Sequence, residues 1–267
     1  MSLANEYLEY CKKYNAIWEY LQAKSKPLEE ITSDICKYRM YFDSYGRWYN
    51  IFSEVGVAYI DDSIVDLSNL KNSKFNDMAL FSKEGNFLLN KRYILPIKDM
   101  VGNVIALVGW YRDSKKYITT PSKFFSKDCL FFGMEQLGNT GIGKSYFLVE
   151  GIFDALSLRS LGLNAIAQMG IVAGRKKEIL YGLFSRLVAI PDNDPQGKKV
   201  LTDDKWSLPI NASYFRWRGE MGIDENTGES INIKDIDMLC NLYEESEVKS
   251  LLISCLRSSE RIITIEL

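Results

Sequence analysis

The stretch from Tyr146 to Lys198 constrains this chain most. Tyr146-Phe147-Leu148-Val149 is an apolar run of buried-strand length, and Glu150-Gly151 follows at once. The spacing then predicts a helix over Ile152 to Leu161, which Gly162 would stop as the residue after the C-cap. A second apolar run, Asn164 to Ala167, ends near Gly170. A third, Arg186 to Ile190, leads into Pro191-Asp192-Asn193-Asp194-Pro195-Gln196-Gly197. Strand, helix, strand, helix, strand in this order argues for a parallel sheet with right-handed crossovers. Such sheets bind ligands beyond the carboxyl ends of their strands, where Glu150, Asp192 and Asp194 fall. Carboxylates gathered at one edge repel one another unless a cation neutralises them. Hard oxygen donors of this kind suit Mg²⁺ or Mn²⁺.

Val149-Glu150-Gly151-Ile152-Phe153-Asp154, followed by Asp192-Asn193-Asp194-Pro195-Gln196-Gly197, resembles the TOPRIM signature. DnaG-type primases, topoisomerases and some nucleases share that fold. Either half of the signature is weak alone, and the two together are fairly specific.

Bulk properties bound the rest. At 267 residues and 46% apolar content the chain can build one large domain or two or three small lobes. The net charge of −2 announces no nucleic acid, but its distribution is uneven. Between Lys91 and Lys127 eight basic residues face two acidic ones, a local balance of +6. On charge alone this is more often a solvated lysine face than a binding surface. Five scattered cysteines with no Cys-x-x-Cys pair, and no histidine at all, argue against structural zinc and against any histidine acid–base catalysis. Scattered cysteines, no signal peptide and no apolar run of about 18 residues give the expectation of a soluble protein of the bacterial cytoplasm, off the membrane.

The chain opens with a helical stripe, Tyr7, Cys11, Tyr14, Trp18 and Leu21, whose aromatics read as core rather than as a base-stacking platform. Pro27 suits the first turn of a second helix with Leu28, Ile31 and Ile35 facing inward. Arg39 to Tyr49, with Tyr41, Tyr45, Arg47 and Trp48, could touch nucleic acid or pack as a loop on the core. Val57 to Ile60 reads as a strand, and Asp61, Asp62 and Asp66 as turn charges. Tyr93 to Ile97, with Pro96 implying an edge or bulge, and Asn103 to Trp110 form a hairpin. Past Gly197 the pattern gives a short helical piece, a strand over Asn211 to Trp217, a loop from Gly219 to Ile231, a helix over Asn241 to Arg257 and an apolar tail from Ile262.

Arg92-Tyr93-Ile94-Leu95-Pro96-Ile97-Lys98-Asp99 with Gly102-Asn103-Val104-Ile105, then Lys116-Tyr117-Ile118-Thr119-Thr120-Pro121 running to Phe125-Ser126-Lys127 and Phe132-Gly133, resembles the N-terminal lobe of the DnaG-type polymerase core. Lys234-Asp235-Ile236-Asp237 resembles the Lys-Asp-x-Asp that closes the primase TOPRIM domain, although spacing alone reads Asp235 and Asp237 equally well as a helix N-cap. Together the matches cover roughly residues 90 to 240. Two positions depart from the family: Arg112 is the nearest candidate for the arginine after the hairpin, and Ser126-Lys127-Asp128 stands where the family has His-Lys-Gly. The family's zinc module and helicase-binding region have no counterpart in this sequence.

The resemblance implies an α/β fold: a TOPRIM, Rossmann-like parallel sheet preceded by an N-terminal α+β lobe and followed by short C-terminal helices. It divides the chain into a basic lobe (1–140), a metal-binding domain (141–240) and a C-terminal segment (241–267). It implies a primase core, whose missing modules a phage or mobile-element origin would explain, making short RNA primers on single-stranded DNA from ribonucleoside triphosphates. Partners would include a replicative helicase or a separate template-recognition protein. Two or more Mg²⁺ or Mn²⁺ ions, and no zinc, would be held by Glu150, Asp192, Asp194, Asp154, Asp235 and Asp237. Asp154, one turn beyond Glu150, could equally cap its helix internally. Lys116 and Lys127 would neutralise triphosphate or template, Tyr117 would stack on a base, and Arg92 and Arg112 would contact substrate. Gly151 and Gly197 would let phosphate or backbone approach closely. A TOPRIM phosphodiesterase or nuclease, and a degenerate primase-like binding protein, are the rival readings.

Overall fold

A computed structural model describes residues 2–39, 45–112, 116–125, 130–140, 144–169, 182–195, 197, 212–217, 221–223, 230–258, 260 and 262–264. The chain divides into two compact units, 1–127 and 128–267. Among the described residues no helix is long and apolar enough to cross a membrane.

The first unit sets three helices with an antiparallel sheet. Helix α1 (Leu3–Lys24) starts where Ser2 Oγ accepts from the Asn5 amide, and it buries Tyr10, Cys11, Tyr14, Ile17, Trp18 and Leu21. α2 (Leu28–Arg39) and α3 (Tyr45–Val55) follow. The segment whose role the sequence left open is therefore partly helical, with Trp48 fully buried in α3; residues 40–44 lie outside the described residues. β1 (Ala58–Ile60), β2 (Arg92–Lys98), β3 (Val104–Tyr111) and β4 (Lys116–Thr119) pair in that order. Pro96 sits inside this sheet without breaking it. β1 pairs β2 only from Arg92 to Ile94, so Pro96 meets a partner on one side alone, and the register shifts just beyond it at Ile97/Lys98.

Tyr10 and Tyr14 of α1 are core residues and Tyr7 is half-buried, and the polar tips of all three reach hydrogen bonds. Tyr7 donates to Asp99 Oδ2 (2.7 Å), whose carboxylate also takes the Val101 and Asn103 amides of the β2–β3 turn. Tyr10 donates to the Ile105 carbonyl (2.9 Å) and Tyr14 to Thr120 Oγ1 (3.0 Å).

The second unit holds a five-stranded sheet in the order β11-β8-β7-β5-β6, with every pair parallel. Its strands are β5 (Ser145–Val149), β6 (Ala165–Ala167), β7 (Arg186–Ile190), β8 (Ala212–Arg216) and β11 (Ile262–Thr264). Alternate residues of one face, among them Tyr146, Leu148, Leu187 and Tyr214, pack with Phe131, Met134 and Leu137. α4 (Glu135–Thr140) supplies Leu137, and α5 (Ile152–Ser160) links β5 to β6 and ends at Gly162 with φ +75°.

Phe131, Met134 and Leu137 pack in the core of the parallel sheet, within the unit 128–267. Three expectations need correction. The Gly219–Ile231 loop contains a two-stranded antiparallel pair, β9 (Met221–Ile223) with β10 (Ser230–Asn232). The single helix expected over Asn241–Arg257 is two, α6 (Ile236–Leu242) and α7 (Glu245–Arg257), separated by extended Tyr243. The apolar tail is β11, which extends the sheet along β8 and so joins 262–264 to the second unit. The helix expected between β6 and β7, and the helical piece after Gly197, lie outside the described residues.

Thr120 tests the polar contacts of α1. Its buried hydroxyl accepts from the Leu107 amide (2.9 Å) and from Tyr14. Thr120→Val keeps the shape and strands the Leu107 amide, while Tyr14 retains the Pro121 carbonyl (3.1 Å), so urea unfolding should show a loss of about 1–3 kcal/mol; an unchanged midpoint would mean that the Leu107 bond does not matter.

Candidate metal centre

The topology selects the site. From β5 the chain goes to β6 on one side and then to β7 on the other, so a crevice opens beyond the carboxyl ends of β5 and β7. Glu150 follows β5 directly, and Asp192 lies two residues beyond β7. The Asp192 amide donates to Glu150 Oε1 (3.2 Å), which draws the two strand ends together. The Met169 amide donates to the Glu150 carbonyl (3.2 Å), and Trp217 Nε1 to the Pro191 carbonyl (2.6 Å). Asp194 Oδ1 accepts from the Gly197 amide (2.8 Å), while Pro195 and Gly197 are helical. A Cβ at Gly197 would lie 1.9 Å from the Asp192 carbonyl oxygen, so no other residue fits that turn.

A second set of carboxylates comes from α5 and α6. Asp154 is buried, and its Oδ1 accepts from the Asp237 amide (3.1 Å). It folds back over Gly151, where a Cβ would stand 2.4 Å from Asp154 Oδ2, so a side chain at 151 would displace this carboxylate. Asp235 caps α6 by accepting from the Met238 amide (2.8 Å). Asp237, only 4% exposed, takes hydrogen bonds from Ser157 Oγ and Asn241 Nδ2, so part of its carboxylate serves packing between α5 and α6.

Electrostatics join the two sets. Burial, then Glu150, Asp235 and Asp194, push Asp192 up to about 7, against relief from Lys234. Burial raises Glu150 as well, and Asp194 adds to that; the Asp192 amide and Lys234 offset part of it. Asp154 lies well above the ordinary range through burial and the charges of Asp235, Asp237 and Asp192. Lys234, with Asn193 and Ser157, was not singled out from the sequence. Its motif was visible, but nothing local told that its ammonium relieves Glu150 and Asp192.

These residues fit a hard divalent cation. Their donors are oxygens, and each raised carboxyl marks a site where added positive charge would be favourable. Among the described residues no three carboxylates form a ready-made coordination sphere as placed. Mg²⁺ does not require one: it takes one or two carboxylates and completes its shell with water and phosphate.

In the first unit, Tyr59, Tyr93, Trp110 and Tyr117 stand directly opposite one another across the four strands. Ring centroids are 5.2 Å apart for Tyr59–Tyr93 and 5.5 Å for Tyr93–Trp110. Tyr38 meets Trp110 edge-on at 5.6 Å, and the Arg39 guanidinium lies 5.8 Å from the same ring. Tyr117 ends the row, 38% exposed. Arg92 lies over the Tyr111 ring at 5.2 Å with Nη1 buried and without a hydrogen-bond partner. Arg112 is exposed, and its carbonyl accepts from Tyr38. Lys116 opens β4, and Lys127 lies outside the described residues.

Residues 147–225 match the Toprim-like family model. Across 94% of this chain and 80% of the other, the structure superimposes on a DnaG primase catalytic domain bound to single-stranded DNA, with a TM-score of 0.68 and 16% identity. The chain has the fold of the DnaG primase catalytic core, with a Toprim-like domain. The zinc-binding and RNA polymerase domains of Aquifex aeolicus primase match over 76% of this chain and 52% of theirs, with a TM-score of 0.61 and 22% identity. The DNA primase of Clostridium acetobutylicum is 27% identical over 178 residues, 61% of this chain and 30% of its own length. That of Borreliella burgdorferi is 26% identical over 222 residues, 79% of this chain and 42% of its own. The chain therefore spans less than half the length of these relatives.

The strain in the Toprim-like site is measurable without any substrate. Folded Asp192 keeps its proton to about pH 7, whereas the unfolded carboxyl releases it near 3.8. Between those values the native state binds the extra proton, so stability falls as pH rises. Asp192→Asn should therefore stabilise the metal-free protein at pH 8, by on the order of 1–3 kcal/mol, with the gain fading towards pH 4. Urea titrations in a chelator at both pH values decide it; superimposable curves at pH 8 would show that Asp192 carries no such penalty.

Proposed function

We propose that this chain is a primase catalytic core that makes short RNA primers on single-stranded DNA from ribonucleoside triphosphates. The observation that carries the reading is the meeting of Glu150, Asp192 and Asp194 at the switch point of a parallel sheet in the DnaG core fold. Curated relatives named DNA primase, and a DnaG catalytic domain of the same fold bound to single-stranded DNA, support the template and the reaction.

Glu150, Asp192 and Asp194 would hold Mg²⁺ or Mn²⁺, with Asp154, Asp235 and Asp237 behind them. Bound there, the ions supply the positive charge that nucleotidyl transfer requires at the attacking hydroxyl and the leaving pyrophosphate. The chain's own part is to hold the carboxylates in place and to grip the nucleic acid. Lys116, Lys127, Arg92 and Arg112 provide cations for phosphates, and the buried unpaired Nη1 of Arg92 is a donor in want of an acceptor. Tyr117, half-exposed at the end of the aromatic row, offers a face on which a base can stack. A replicative helicase or a separate template-recognition protein, in a bacterial cytoplasm, completes the picture.

Incubation with ribonucleotides, single-stranded DNA and Mn²⁺ or Mg²⁺ separates the readings: primers indicate a primase, template loss the Toprim nuclease, and neither a binding module. Glu150→Gln and Asp194→Asn should each abolish synthesis while the fold survives; wild-type primer yield from either would sink the metal assignment. Lys116→Ala and Lys127→Ala should slow synthesis roughly ten- to a hundredfold, about 1.4 kcal/mol per decade, and less so at low salt. Normal rates across a salt series would return both lysines to a solvated face. Tyr117→Ala should weaken binding of single-stranded DNA by about 1–3 kcal/mol, and much less for an abasic strand, because stacking needs the base. Equal losses on both strands would exclude stacking.

A further inference from the structure

Asn193 separates the two aspartates of the turn after β7, and three bonds tie it to the segment that carries Asp235. Its amide N–H donates to the Lys234 carbonyl (2.6 Å). Its side-chain Nδ2 donates to the Ile233 carbonyl (2.8 Å) and to Asn232 Oδ1 (3.3 Å). The side chain is 5% exposed, and Oδ1 is buried with no hydrogen-bond partner. The amide cannot turn over, since Oδ1 would then face two acceptor oxygens.

On its C-terminal side the segment is anchored through α6, whose Asp237 amide donates to Asp154 and whose Asp237 carboxylate accepts from Ser157. β10, which leads into it, pairs with β9 and not with the parallel sheet. Yet Asp235 comes near enough to Asp192 and Asp154 to act on both. Like charges push that segment away from the strand ends, and a neutral residue whose side-chain amide holds the Ile233 carbonyl and Asn232 Oδ1 while its backbone N–H holds the Lys234 carbonyl opposes the push without adding charge.

We propose that Asn193 is a positioning residue: its amide clasps the Asn232–Lys234 segment to the turn after β7 and thereby sets the distance between the Glu150–Asp192 pair and Asp235. The proposal rests on the metal-site reading above, and it concerns how the site is kept assembled rather than which groups bind.

The test is Mn²⁺ binding by the purified chain, followed through the EPR signal of free Mn²⁺, beside thermal melting with and without the ion. Asn193→Ala retains the backbone bond to Lys234 and loses the side-chain clasp. It should bind Mn²⁺ about 10- to 100-fold more weakly, as loss of a group that orients ligands does, and the rise in melting temperature that Mn²⁺ gives the wild type should shrink in step. A lower metal-free melting temperature with unchanged Mn²⁺ affinity would make Asn193 a packing residue and overturn the proposal. Asn193→Ser, whose hydroxyl is too short to reach Ile233, should show the same weakening, and it decides the matter if the alanine variant does not fold. Absence of Mn²⁺ binding by the wild-type chain would overturn the metal reading and this proposal together, whereas unchanged affinity in the variants overturns this proposal alone.

Discussion

Mutual repulsion among buried carboxylates is the constraint on which the second unit depends. Parallel strands β5 and β7 deliver Glu150 and Asp192 to one crevice because the chain leaves β5 in opposite directions. Burial and like charge both raise the two carboxyls, and the Asp192 amide and Lys234 offset only part of it. The site therefore exists because the hydrophobic sheet beneath it is stable enough to impose it. Tyr146, Leu148, Leu187 and Ala189 supply that apolar base on one face. Backbone donors moderate the cost locally, as the Asp192 amide does for Glu150 and the Asp237 amide for Asp154.

The first unit solves a different problem. An aromatic core brings polar tips into the interior, and each must find a partner. Tyr7, Tyr10 and Tyr14 of α1 do so on Asp99, Ile105 and Thr120, spread over the β2–β3 turn, β3 and the residue after β4. These contacts give α1 a fixed register on the sheet that apolar packing alone would leave loose. The transverse row from Tyr59 to Tyr117 then places its aromatic edge at the last strand.

Much of this was legible in the sequence, and for a local reason each time. The runs over Tyr146–Val149, Asn164–Ala167 and Arg186–Ile190 are strands because short apolar stretches between helix and turn signals have few other uses. Gly162 ends α5 with positive φ, as its place after the helix implied. What misled was also local. The Gly- and acid-rich look of 219–231 hid the β9–β10 pair, whose pairing is a relation between two short segments and not a property of either. Pro96 implied an edge or a bulge, and the sheet has both there: β1 is too short to reach it, and the register shifts at Ile97/Lys98.

Chain order and residue type by themselves determined the strand-and-helix alternation, the carboxylates at strand ends and the glycines beside them. Periodicity and turn chemistry act over a few residues, so they survive translation into structure. Tertiary structure alone decided that Asp235 stands within electrostatic reach of Asp192, that Lys234 relieves Glu150, that Ser157 binds Asp237 and that Asn193 clasps the Asn232–Lys234 segment. Those relations join residues from 39 (Asn193 and Asn232) to 84 (Glu150 and Lys234) positions apart. They arise only when the whole sheet closes, because no local pattern encodes which distant group a buried charge will meet.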